Sequence, residues 1–250
     1  MSDSNYFKFS NKVLVAPMLL VIFIWTIFLI EVRLGLNFNN HGIYPRTFSG
    51  LQGIVFSPFI HGSMEHLYNN TIPIAILTAS LFYFYNKIAL KVLLLGVLLS
   101  GLFTWFIGRP SYHIGISGLI YVLASFIFFK GIFTKHYRLI ALSLFVVFIY
   151  GSLLWYIFPI KDGISWEGHL SGLITGLILA ILIQTKIPIL KKYKWEREDY
   201  NEEEDDFLKH FDENGNFIEN KETPIEKPEN ISFKINYHYT NKEKGDNSLD

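Results

Sequence analysis

The chain has 250 residues, half of them apolar, with 23 Phe, 14 Tyr, no cysteine and a formal net charge of zero. The missing thiols exclude disulfides, thiolate catalysis and zinc–sulfur sites. The neutrality is a cancellation: residues 1–200 hold 16 Lys/Arg against 8 Asp/Glu, and residues 201–250 hold 6 against 14, so a basic body precedes an acidic tail.

The apolar residues of the body come in blocks of about twenty, the length that crosses ~30 Å of hydrocarbon. Six segments are predicted, at about 13–32, 66–86, 89–107, 117–133, 138–158 and 169–188. The first follows only two lysines, as a secretory leader would. It runs on to Ile30 without a small-x-small cleavage site and is read as a retained helix. The first loop, about 33–65, exceeds thirty residues, so it is expected to be ordered or to contain short interfacial helices, with a plain connection as the simpler alternative. The fourth segment is short, which suits a helix that starts below the surface inside a protein-lined cavity.

Positive charges set the expected orientation. The N-terminus, the second and fourth loops and the C-terminal end hold twelve: Lys8, Lys12, Lys87, Lys91, Lys130, Lys135, Arg138, Lys186, Lys191, Lys192, Lys194 and Arg197. The odd loops hold Arg33, Arg46, Arg109 and Lys161. Both termini are therefore expected in the cytoplasm, with segments 2, 4 and 6 all beginning at the outer side. After Trp195 the run Glu202–Asp206 opens a stretch rich in Lys, Glu and Asn that is expected to stay mostly disordered. Two local features stand out in it. Asn214-Gly215 between Phe211 and Phe217 suits a turn, and Ile231, Phe233, Ile235, Tyr237 and Tyr239 alternate like a strand. The predicted organisation is a short cytoplasmic N-terminus (1–12), an all-α polytopic membrane domain (13–190) and a cytoplasmic acidic tail (191–250).

Three helix starts carry the polar residues. His66 and Asn70 are four apart, on one face of the second segment, and can aim donors at one spot as an oxyanion site requires. Their simpler reading is a polar patch holding the first loop, the role favoured for His61, which lies off that face. Ser117 lies between Gly115 and Gly118 where polar sequence turns apolar. A lone hydroxyl there usually bonds back to its own helix, but polar groups at membrane depth are costly and usually functional. His169 opens the sixth segment, and Gly172, one turn deeper, permits close approach of a neighbour. If that neighbour is the fourth segment, His169 reaches the Ser117 hydroxyl as its general base. Tyr121, one turn after Ser117, can pack on the imidazole. Glu65 and Glu167 lie at the segment edges, so a Ser–His pair without a carboxylate is expected.

Other chemistries are discouraged. There is no His-Glu-x-x-His pair, no phosphate-binding glycine loop and no Asp in the predicted spans. Gly-Ile-Ser-Gly lacks the final glycine of the soluble-hydrolase elbow, because Leu119 stands there. No metal, cofactor or nucleic-acid partner is expected.

Together, His61-x4-His66-x3-Asn70, Gly115-x-Ser117-Gly118 and His169-x2-Gly172-x3-Gly176 resemble the rhomboid family of intramembrane serine proteases, over about residues 10–190. The resemblance implies a six-transmembrane-helix rhomboid-like bundle and a serine endopeptidase that cleaves transmembrane protein substrates near the outer face. It implies Ser117 as nucleophile and His169 as base, with His66, Asn70 and the Ser117 backbone N–H forming the oxyanion hole. His61, Gly115, Gly118, Tyr121 and Gly172 are the implied supporting residues. The first loop carries Pro45-Arg46 without the Trp-Arg dipeptide of many members. A bacterial inner membrane is the implied location, substrate helices and the bilayer the implied partners, and the loop 159–166 the candidate cap over the site. The alternative is a catalytically inactive relative that binds or chaperones membrane proteins.

Overall fold

The structure, a computed structural model, describes residues 7–160, 163–185 and 193–219. The chain divides into two units, Met1–Leu190 and Lys191–Asp250.

The first unit is an all-α bundle. Helix α1 (Lys12–Leu34) ends at Gly35, whose φ of 64° lets its N–H return to the Glu31 carbonyl. It lies along α3 (Met64–Phe84), to which Trp25 donates an indole N–H at Thr71 Oγ1, 3.0 Å away. The long first loop is ordered, as expected. It contains 3-10 turns at Asn39–His41, Ser49–Gln52 and Ser57–Phe59 and the short helix α2 (Gly53–Phe56). Arg46, at φ 58°, donates to the carbonyls of Phe106 and Gly108 at 3.1 and 2.9 Å and so caps α4 (Asn86–Ile107). Trp105 donates back to the Thr47 carbonyl at 2.8 Å. A basic side chain on C-terminal carbonyls satisfies acceptors that the helix itself leaves open.

Helix α5 (Ser117–Thr134) is the centre of the bundle and packs against α3, α4, α6 (Tyr137–Tyr150) and α7 (Trp166–Leu182). Its pairing with α7 depends on small residues. A Cβ at Gly172 would overlap the Gly118 carbonyl, and one at Gly176 would overlap the Val122 carbonyl. Ser125 donates to the Leu173 carbonyl at 2.7 Å in the same seam. Close approach of this kind is how helices associate where lipid supplies no hydrophobic drive.

Among the described residues three helices, α1, α4 and α5, are long and apolar enough to cross a membrane, while α6 and α7 are shorter apolar helices. The chain is thus a multi-pass, all-α membrane protein. Two sequence expectations need correction. The segment 138–158 is not one helix: α6 stops at Tyr150, and residues 151–157 tighten into a 3-10 turn. Gly151 is a weak α-helix former and Pro159 offers no N–H to continue it. Lys130, expected as a loop cation, is buried inside α5 and donates to the carbonyls of Ala180 and Ile183 at 3.0 and 2.6 Å, closing the C-terminal end of α7.

In the second unit, residues 193–219 form 3-10 turns at Lys194–Glu196, Glu202–Glu204 and Leu208–His210. The turn expected at Asn214-Gly215 is present. Gly215 has φ 78°, the Asp212 carboxylate accepts the N–H of Asn214 and Asn216, and Phe211 bridges Phe217. The alternating stretch 231–239 lies outside the described residues, as do residues 161–162 of the loop read as a cap.

Candidate active site

Ser117 is the first residue of α5, and His169 lies in the first turn of α7. The glycine seam brings the two helix starts together, so that Ser117 Oγ and His169 Nε2 are 3.0 Å apart. His169 Nδ1 faces the Tyr156 carbonyl at 3.0 Å. A carbonyl can only accept, so Nδ1 carries the ring proton and Nε2 is left as the acceptor for the serine hydroxyl. Tyr121 stacks on the imidazole with centroids 4.3 Å apart and planes 14° off parallel. The imidazole is thus fixed at one ring edge and one ring face. Among the described residues its hydrogen-bond partners are the Tyr156 carbonyl and the Ser117 hydroxyl.

Helix α3 supplies the donors. Ser63 caps it by accepting the His66 N–H at 3.1 Å, which orients the first turn. His66 and Asn70 then gather over Gly115, two residues before Ser117. A Cβ on Gly115 would lie 2.7 Å from His66 Nε2 and 3.7 Å from Asn70 Nδ2, and its φ of 104° also calls for glycine. Asn70 Nδ2 is buried and has no hydrogen-bond partner among the described residues. A buried donor left open this way is costly unless something else accepts from it.

His61 is not part of this cluster of donors. It is buried in the turn that enters α3, with its ring edge-to-face on His66 at 5.0 Å between centroids. Burial, helped by the proximity of His66, pulls its pKa from 6.5 down to about 4, partly opposed by the Phe59 backbone.

A second serine–histidine contact lies beside the first. His113 Nδ1 is 2.6 Å from Ser165 Oγ, and His113 Nε2 is 3.1 Å from the Arg109 carbonyl. Burial lowers the His113 pKa, although the Arg109 carbonyl and Glu167 oppose it. Ser165 differs from Ser117 in one decisive respect. Its oxygen also accepts the Gly168 N–H at 3.3 Å as the N-cap of α7, so attack by Ser165 would uncap the helix. Ser117 Oγ bonds only His169 among the described residues. The donors of α3 also gather at Gly115 rather than at Ser165. Of the two hydroxyls, that of Ser117 is the one without a capping role and close to those donors.

Sequence reasoning passed over His113 and Ser165 and placed Glu167 at an edge. Glu167 is in fact 1% exposed; its Oε1 accepts the Arg109 N–H at 3.2 Å and lies 3.8 Å from the Arg109 guanidinium. The signal available was a serine three residues ahead of a helix's third position with an acid in its first turn, a common N-terminal pattern. Among the described residues no three His, Cys, Asp or Glu could share a metal ion. A cavity of about 40 Å³ reaches Ser117 from the α4 side, bounded by Ser57, Ser100, Thr104, His113 and Ser165. That is room for about three or four waters at ~10–15 Å³ each.

A family model described as the Rhomboid domain matches residues 49–186. An uncharacterized protein of Mycobacterium bovis and one of Mycobacterium tuberculosis are each 35% identical over 177 residues, 65% of this chain and 72% of theirs. An uncharacterized protein of Mycobacterium leprae is 33% identical over 156 residues, 59% of this chain and 62% of its own length.

Proposed function

The chain belongs to the rhomboid family of intramembrane serine endopeptidases, and from that premise we propose that Ser117 and His169 are its catalytic pair and that α3 supplies its oxyanion donors. The observation that carries this reading is the 3.0 Å contact between Ser117 Oγ and the unprotonated edge of His169.

The chemistry follows from the donors and acceptors present. Ser117 Oγ attacks the scissile carbonyl while its proton passes to His169 Nε2. The negative charge that develops on the carbonyl oxygen is met by Asn70 Nδ2, by His66 and by the first-turn N–H of Ser117. In a site shielded from bulk water, each such donor is worth far more than in solution. Collapse breaks the C–N bond, and the imidazolium returns its proton to the leaving amine. Water then attacks the Ser117 ester with His169 again as base, releasing the acid product and the free hydroxyl. The Tyr156 carbonyl and the stacked Tyr121 keep the imidazole in place through both stages.

The substrates are membrane-embedded segments. A helix presents hydrogen-bonded, crowded carbonyls, so segments that unwind at Gly or Pro are the ones this site accepts. We assign six membrane passes, with α3, α6 and α7 joining the three long apolar helices. The site opens outward and both termini are cytoplasmic. The charge bias behind this orientation persists without Lys130, eleven cations against four. A bacterial inner membrane fits the mycobacterial relatives. We place the domain boundary near residue 190, with an acidic cytoplasmic tail beyond it. The inactive, client-binding alternative is disfavoured by a serine and a base in bonding contact. Purified protein in liposomes should cleave a model transmembrane peptide, and Ser117→Ala should not. Equal cleavage by the variant would falsify this reading.

A further inference from the structure

The two segments that carry the catalytic pair are joined a second time, one turn upstream. Residues 113–117 lead into α5 and residues 165–169 lead into α7. The bonded pairs His113–Ser165 and Ser117–His169 are each 52 residues apart in the chain. In the upstream pair the order is reversed, with the histidine on the α5 side.

The chemistry of the upstream pair is set by its surroundings. His113 is 4% exposed. Its Nε2 faces a carbonyl, that of Arg109, at 3.1 Å and must carry the proton, so Nδ1 accepts the Ser165 hydroxyl at 2.6 Å. Ser165 in turn accepts the Gly168 N–H, one residue before His169. The His113 backbone is anchored on its other side, exchanging hydrogen bonds with Ile43 at 3.0 and 2.8 Å. Arg109 donates its guanidinium to the Ile164 carbonyl at 2.7 Å and its N–H to buried Glu167. The loop before α5 therefore grips residues 164–167, immediately ahead of the base.

We propose that His113 is a positioning residue: acting through the Ser165 hydroxyl, it fixes the first turn of α7 against the start of α5 and so sets the approach of His169 Nε2 to Ser117 Oγ. The proposal rests on the reading of Ser117 and His169 as the catalytic pair. A shift of ~1 Å between reacting groups can reduce rate a hundredfold, and an uncapped first turn is free to shift by that much. The role needs an acceptor toward Ser165 and a donor toward Arg109 on opposite edges of one side chain, which neutral imidazole supplies.

The test compares His113→Phe, Ser165→Ala and their double variant with the conservative His113→Asn and Ser165→Thr, all in the full chain in proteoliposomes. The readouts are kcat and KM on a transmembrane peptide, the rate of Ser117 labelling by a fluorophosphonate per folded molecule, and Tm. Each removal should lower kcat and the labelling rate about tenfold or more while KM stays within about twofold. The double variant should be no worse than either single one, because the two side chains act through each other. His113→Asn, with an amide oxygen in place of Nδ1, and Ser165→Thr should recover most of the loss. Additive losses, an unchanged kcat, or a loss that tracks only the folded fraction would overturn the proposal. Should His113→Phe not fold, Ser165→Ala against Ser165→Thr makes the same comparison. A probe adduct on Ser165 would defeat the catalytic assignment itself, whereas wild-type labelling of Ser117 in every variant would defeat the positioning role alone.

Discussion

Gly172 lies so close beneath Gly118 that a single methyl on it would overlap the Gly118 carbonyl, and this contact decides how near His169 comes to Ser117. Both glycines sit one residue or one turn from Ser117 and His169, so helix spacing and the distance between these two side chains are one quantity here. Gly172→Ala should therefore separate α7 from α5. Overpacking of this kind costs about 1–3 kcal/mol, and the activity loss should exceed what the folded fraction explains. Thermal unfolding and specific activity measured on the same sample check both parts; a fully active variant with wild-type Tm contradicts the account.

Asn70 carries a buried amide with nothing to donate to among the described residues. A donor awaiting a charge that exists only in the transition state should affect kcat rather than binding. Asn70→Ala should lower kcat about 10²–10³-fold with KM little changed. Steady-state kinetics on one peptide are sufficient. A rise in KM at constant kcat would place Asn70 in ground-state binding instead.

Lys130 tests the far end of the same helix pair. Its ammonium donates to two carbonyls at the end of α7, where the helix dipole also favours a cation. Lys130→Met keeps the bulk and leaves both acceptors without that donor, which should destabilise by about 1–3 kcal/mol. Denaturation in detergent reads this directly, with the catalytic rate per folded molecule little changed.

His61 gives the fold a pH dependence of defined sign. Its folded pKa is about 4, below the 6.5 of an exposed imidazole. The unfolded chain therefore takes up the proton first as pH falls. The stabilising contribution is complete above 6.5 and is lost progressively between 6.5 and 4. His61→Leu should flatten the fall in Tm between pH 7 and pH 5. A slope as steep as that of the wild type would mean that other groups carry the acid sensitivity.

Much of the site was legible because membrane sequence is sparse in polar residues. His66, Asn70, Ser117 and His169 stand out against apolar runs, and each lies within the first two turns of its helix. Gly172 was readable because only close packing explains glycine in such a helix. What escaped were residues whose meaning depends on a distant carbonyl. The Tyr156 carbonyl that orients His169 comes from an irregular turn that apolar periodicity reads as more helix. Lys130 resembled a loop charge because nothing in its own segment tells that α7 ends beside it. His113 and Ser165 are ordinary polar loop residues until the fold lays residues 113–117 along 165–169.

The most direct test is to locate the adduct left by a fluorophosphonate on the purified full chain, by intact mass and peptide mapping. The account predicts one adduct, on Ser117, abolished in Ser117→Ala and in His169→Ala while Ser165→Ala still reacts. An adduct on Ser165, or labelling that survives Ser117→Ala, would contradict it.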